Sequence, residues 1–428
     1  MNEQMKKVKK IAEKLVDYNY ILDVVNNQNN KQEVGGKKVA LYDEATLSHG
    51  LPAVCLLFAE LSYAFPKEGW DIKAHEFLKK IQQRIEMGQV YDLSMFSGYA
   101  GIGLAVDGLS KNGTRYTNFT KYINEYIKET FPILIKKLYE SKYCFMRDYD
   151  VISGVSGILG YAIVQKDMEE ICKEIGNYLV YRCQKIKFGN LEIPGFFIPK
   201  ENQFLESDKK RFPNGNFNLG LSHGVPGILL ALCMLEKKKI EVSGLYEAIE
   251  TCIDFLFKFI YKDAERWGAY VSLENYCDKL EGIDTRDAWC YGSPGVSYAM
   301  YMGGEILNRK KYKELSVQVM KNVIEGLQGI YSPTFCHGYA GVAYIFWRFF
   351  NLTGIKVFEE FSCHVVDKIW EFYNETNPLG FKDIEYQSMT DQVGLLSGVS
   401  GILLPILAIY GIKHTKWDYA FMLGDFTI

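Results

Sequence analysis

The chain has 428 residues, 48% of them hydrophobic, which is enough to bury one large core or two ordinary ones. Its formal net charge is -3, with Lys and Arg scattered among acidic residues, so nothing in it forms the basic footprint of a nucleic-acid binder. The polar, Lys-rich stretch from Met1 to Leu15 lacks the apolar segment of a signal peptide, and no apolar run reaches the roughly 18 residues of a membrane span. The ten cysteines are dispersed, and Cys172, Cys233 and Cys252 fall inside apolar helical patterns. That usage predicts a reduced, cytoplasmic protein rather than a disulfide framework.

Taken in order, the chain repeats a short glycine motif that leads into an apolar run. Ser48-His49-Gly50-Leu51-Pro52-Ala53 is the first station and Phe96-Ser97-Gly98-Tyr99-Ala100-Gly101 the second. Ile152-Ser153-Gly154-Val155-Ser156-Gly157 and Ser222-His223-Gly224-Val225-Pro226-Gly227 follow. Cys290-Tyr291-Gly292, with Gly295, and Cys336-His337-Gly338, with Gly341, are the fifth and sixth. Leu396-Ser397-Gly398-Val399-Ser400-Gly401 is the seventh. Between stations lie amphipathic helical patterns, such as Tyr116, Phe119, Ile123 and Tyr126, or Leu245, Ile249, Ile253, Leu256 and Ile260. Each unit is therefore an outer amphipathic helix paired with an apolar inner helix that starts at the glycines. Seven such pairs predict an all-α fold, a closed seven-fold α/α toroid or double helical barrel, in which residues 1–428 form a single domain. Residues 185–213 interrupt the pattern. Ile186-Lys187-Phe188, Leu191-Glu192-Ile193 and Phe196-Phe197-Ile198 read as short strands, so a small β-rich insertion is expected there. The long connection from Trp267 to Asp284 is a candidate lid.

In such a toroid every inner helix starts at the same end, so the residues just before each first glycine gather around one mouth. Cys290, Cys336 and His337 occupy those positions in consecutive units. Two thiolates and an imidazole suit a single Zn2+ ion, and three protein ligands instead of four leave an open position, as at a catalytic zinc. The competing reading makes both cysteines small buried hydrophobes. His223 precedes its glycine in the adjoining unit, as a fourth ligand or a general acid/base. His49 has the same offset but belongs to the first unit, away from the ligand cluster, and is expected to be structural. The pair Cys363-His364 falls within an outer helix and is expected to be a decoy. Asp150 and Arg286 are charges flanking apolar helix starts, where a buried ion needs a partner. Asp150 could orient His223, pair with Arg286 or cap its own helix.

With Asn218-Leu219-Gly220-Leu221-Ser222-His223-Gly224, Arg286-Asp287-Ala288-Trp289-Cys290-Tyr291-Gly292, Cys336-His337-Gly338 and the upstream Tyr149-Asp150-Val151-Ile152, the sequence resembles the lanthionine synthetase C family. These are the cyclases of class I lanthipeptide biosynthesis, and the resemblance spans essentially the whole chain. It departs most in the first repeat, where Ala53 replaces the second glycine. The resemblance implies a catalytic zinc on Cys290, Cys336 and His337, and functional roles for His223, Asp150 and Arg286. It also implies a substrate, a leader-bearing precursor peptide with dehydroalanine or dehydrobutyrine and free cysteines, whose thiols close thioether rings. A dehydratase and an exporter are the implied partners, at the inner face of the membrane, with the chain a monomer on its own. Two other functions use the same features: addition of glutathione to dehydroamino acids, and a non-catalytic, zinc-stabilised peptide scaffold. A glycosidase of similar fold would need paired inward carboxylates, and only Asp150 stands out.

Overall fold

The computed structural model describes residues 3–34, 37–262, 265–278, 286–385 and 388–425. Seven helices begin directly after the first glycine of the seven stations: Leu51–Ala64, Tyr99–Leu109, Val155–Ala162, Val225–Lys237, Ser293–Ile306, Tyr339–Thr353 and Val399–Ile409. They are apolar around most of their circumference and buried along most of their length, as inner helices must be. Pro52, Pro226 and Pro294 stand in their first turns, where an absent N–H forfeits no helical bond. The helices Trp70–Glu86, Glu169–Cys183, Leu245–Lys258, Lys310–Glu325 and Lys356–Glu371 each pack on an inner helix. They bury one stripe and expose the other; in Leu245–Lys258 the stripe is Leu245, Ala248, Ile249, Cys252, Ile253 and Leu256. The expected all-α class is what the chain adopts, with short two-stranded sheets holding its only described strands.

The glycines make room for backbone. A side chain at Gly224 would put its Cβ 2.2 Å from the Asn218 carbonyl oxygen, and one at Gly227 would lie 2.6 Å from that of Leu221. The same relation joins Gly338 to Ser332 and Gly157 to Val151, each at 2.2 Å. Each station is thus a loop folded back over the first turn of the helix it starts. Neighbouring repeats also press in, since Val151 lies 2.9 Å from the same point at Gly227. Gly292 is the extreme case, with φ +112° and a would-be Cβ 1.4 Å from the Arg286 carbonyl oxygen. Gly292→Ala is expected to cost more than about 4 kcal/mol, as backbone strain adds to the clash. Denaturant unfolding, or loss of soluble protein, would register it; wild-type stability would refute this reading of the loop.

The residues group into two compact units. One comprises Met1–Asp92, Phe96–Ile123 and Ile330–Trp417; the other comprises Leu93–Met95, Asn124–Gly329 and Asp418–Ile428. In the first, the inner helices of the sixth, seventh, first and second repeats pack in that order, so Val399–Ile409 lies against Leu51–Ala64. The helix Glu3–Lys14 packs on Val399–Ile409, which among the described elements is followed by the short turn Trp417–Phe421. This helix thereby covers the seventh repeat. In the second unit Val155–Ala162, Val225–Lys237 and Ser293–Ile306 pack in sequence order.

The insertion forms the antiparallel hairpin Lys185–Phe188 with Leu191–Pro194, as its first two strand patterns predict. Its third expected strand reduces to a single bridge from Ile198 to Asn216, and Glu206–Arg211 is helical. The candidate lid is anchored at its start: Trp267 is fully buried and its indole N–H donates to the Leu256 carbonyl. Tyr270–Ser272 then pairs with Asn216–Asn218. The remainder of that candidate, 279–284, lies outside the described residues. Among the described residues, no helix is long and apolar enough to cross a membrane.

Candidate active site

Backbone hydrogen bonds tie the stations to one another just before the glycines. In one unit the Cys336 N–H donates to the Leu396 carbonyl at 2.9 Å, that of Leu396 to Ser48 at 3.4 Å and that of Ser48 to Phe96 at 3.0 Å. In the other, Val151 donates to Ser222 at 3.0 Å and Ser222 to Cys290 at 3.3 Å. The register of the pre-glycine residues is therefore set by main chain, and side chains at this position can vary without moving it.

In the second unit this lattice holds a histidine–carboxylate pair. His223 Nδ1 lies 2.5 Å from Asp150 Oδ2, while Asp150 Oδ1 accepts the N–H groups of Ser153 and Gly154, each at 2.7 Å. Of the roles open to Asp150, it fills two at once: it secures its own helix start and it orients His223. Asp150 is 1% exposed, so its charge is shielded from water and fixed in direction. A carboxylate can only accept, so Nδ1 carries the proton and the partly exposed His223 presents Nε2 outward. Beside it, the Tyr291 ring centroid is 6.2 Å from that of His223. The Tyr291 hydroxyl accepts from Asn218 Nδ2 at 3.0 Å and from the Tyr270 hydroxyl at 3.1 Å. Burial, and then Tyr270 beside it, push this phenol well above the usual tyrosine range, so it is neutral at physiological pH. Tyr291 is legible in principle from sequence, since it takes the position of His223 and His337 before its glycine.

Cys290 is 6% exposed, and its carbonyl also accepts from Ser222 Oγ at 3.2 Å. Arg286 is half-buried at the head of the same loop. The adjacent Asp287 is fully buried against Arg266, with 2.5 Å between Oδ2 and Nη1. Arg266 also donates to the carbonyls of Asn322 and Gly326, and Asp287 accepts from the Gln328 N–H. Breaking one side of a buried pair of this kind strands the other charge, which is why the loop bearing Arg286 and Cys290 is well fixed.

Cys336 and His337 belong to the first unit. His337 is buried, and its Nε2 lies 3.2 Å from Asp383 Oδ1 and 2.8 Å from Glu385 Oε2. Burial opposes a charge on this imidazole, but the two carboxylates outweigh it and raise its pKa to about 10. His49 proves to be nearer this group than its place in the first repeat suggests: Asp383 acts on it electrostatically, although burial dominates and lowers its pKa. Cys363 is exposed on the outer helix Lys356–Glu371, as expected of a residue without a site role. Among the described residues, no three His, Cys, Asp or Glu side chains are grouped so as to hold a metal ion. Asp383 and Glu385 carry no sequence signal, because they sit on a three-residue strand outside the helical repeat.

Apolar inner helices that begin at glycine stations, with histidine and cysteine just before them, define a helical-repeat protein. The chain belongs to the family described as lanthionine synthetase C-like protein, whose sequence profile matches residues 42–422. The nisin biosynthesis protein NisC of Lactococcus lactis subsp. lactis is 28% identical over 394 residues, covering 90% of each chain. The solved structure of nisin cyclase matches with a TM-score of 0.81 at 25% identity, over 98% of both chains.

Proposed function

We propose that this chain is a lanthipeptide cyclase. It would add cysteine thiols of a dehydrated precursor peptide to dehydroalanine or dehydrobutyrine in the same peptide, forming thioether rings. The observation that carries the reading is the His223–Asp150 pair at the inner-helix starts of a lanthionine synthetase C-like chain. In each ring closure sulfur bonds to Cβ, the double bond's electrons move toward Cα as an enolate, and a proton is delivered to Cα. The thiol's proton is released, so the peptide's mass does not change. His223, with its Nδ1–H held by Asp150, would take the proton released by the thiol on Nε2 and then deliver it to Cα, which returns the imidazole to its starting state. The positive ends of the inner helices favour both the thiolate and the enolate, and Arg286 is placed in the proposal as a further stabiliser of negative charge.

A zinc ion would be held by Cys290, Cys336 and His337, since two soft thiolates and an imidazole are donor types that zinc takes, and the His337 Nε2 faces carboxylates. Bound there, the metal would keep a peptide thiol ionised at neutral pH, where a free thiol of pKa about 8.5 is only a few per cent thiolate. A dehydratase must act before this chain, because the acceptor double bonds have to exist first; it and an exporter are its proposed partners.

The test is mass spectrometry of a dehydrated peptide after thiol alkylation. Zinc-loaded protein should abolish one alkyl adduct per ring with no change in peptide mass. A peptide that remains fully alkylated overturns the proposal, and a gain equal to the mass of glutathione, in its presence, identifies the alternative addition reaction.

A further inference from the structure

The strand Asp383–Glu385 places two carboxylates on one imidazole nitrogen, and no part of the reaction outlined above uses them. Residues two apart on a strand face the same way, and the antiparallel register Asp383↔Thr390 and Glu385↔Ser388 fixes that face. Asp383 is 3% exposed and is itself held, accepting from Ser332 Oγ at 3.1 Å and Thr334 Oγ1 at 3.4 Å. Ser332 Oγ also accepts the Ile384 N–H at 3.2 Å. The hairpin is thus bound to the loop that runs into Cys336 and His337.

We propose that Asp383, which accepts the His337 Nε2–H, and Glu385, whose carboxylate stands beside it, are positioning residues, so that Nδ1 is the atom His337 offers to a metal. Both carboxylates can only accept, which places the hydrogen on Nε2 and the lone pair on Nδ1. A metal-binding histidine is commonly held in this way by a carboxylate on its second nitrogen, which fixes the ring and raises ligand basicity. Here Asp383, locked in the loop, takes the hydrogen bond at 3.2 Å, and Glu385, with Oε2 2.8 Å from Nε2, adds a second negative charge. The inference rests on the zinc reading of the proposed function and assigns the residues that orient one ligand of it.

The experiment compares zinc affinity, by competition with a chromogenic chelator, in the full-length wild type, Glu385→Gln and the double variant Asp383→Asn/Glu385→Gln. Glu385→Gln is expected to weaken zinc by about tenfold and the double variant by about a hundredfold. The metal-free Glu385→Gln protein, which keeps Asp383, should melt near the wild type, and the double variant lower, because His337 then loses both carboxylates. In the zinc-loaded wild type, nitrogen-15 spectra of labelled histidine should show His337 protonated at Nε2. Wild type that binds zinc while both variants bind it equally well overturns the inference and leaves the metal reading intact. A His337 protonated at Nδ1 overturns it as well. Wild type that binds no zinc defeats the metal reading itself. Should the double variant fail to fold, Glu385→Gln decides alone, since Glu385 lies at the more exposed end of the strand.

Discussion

Cys336→Ala is expected to lose zinc and ring formation together, with cyclisation falling by the order of a thousandfold, or about 4 kcal/mol of barrier. Replacing one of three ligands leaves two, and two donors do not retain zinc in competition with a chelator. The fold should survive, because Cys336 is held through its backbone: its N–H donates to Leu396, and alanine keeps that bond. The loss would then be one of chemistry and not of structure, visible as normal unfolding, absent metal and a fully alkylated peptide. A Cys336→Ala protein with stoichiometric zinc and wild-type ring formation would remove the cysteine from the proposed centre.

His223→Ala should separate the two properties that Cys336→Ala joins. His223 is assigned to proton transfer and not to the metal, so zinc content should be unchanged while ring formation falls by roughly a hundred- to ten-thousandfold. Asp150→Asn is the finer probe. An asparagine oxygen can still accept from Ser153 and Gly154, so the helix start is retained. Its amide, however, would face Nδ1 with a donor and reverse the proton placement on His223, with an expected loss of about a hundredfold or more. Unchanged turnover in both variants would show that the pair is an ordinary structural contact.

The parts of the fold that are legible in the sequence are those written in local backbone chemistry. Gly50, Gly154 and Gly338 announce helix starts because no larger residue fits beneath the returning loop, and the apolar run after each names the inner layer. His223 and Asp150, in different repeats, can be brought together from sequence because both stand at stations. The hairpins formed by Gln32–Val34 with Lys37–Val39 and by Asp383–Glu385 with Ser388–Thr390 are not legible in this way. Three residues are too few to show a period of two, and the helical repeat gives no reason to look there. The surroundings of His49 are hidden for a related reason: its neighbour Asp383 lies on such a hairpin. That the connection expected as a lid is anchored from within at Trp267 is something residue spacing does not reveal.

One compact unit draws its strands and helices from both ends of the chain, and the N-terminal helix Glu3–Lys14 rests on the seventh inner helix. On the ribosome that helix emerges before residues 124–329, yet its seat, Val399–Ile409, is made after them. Residues 124–329 are contiguous and can condense while synthesis continues, whereas the early segment must wait with its apolar face exposed. Pairing across such a separation in sequence is slow. The protein's vulnerable interval is therefore its own translation, and a fusion or truncation at Glu3–Lys14 should be felt first in the yield of folded chains.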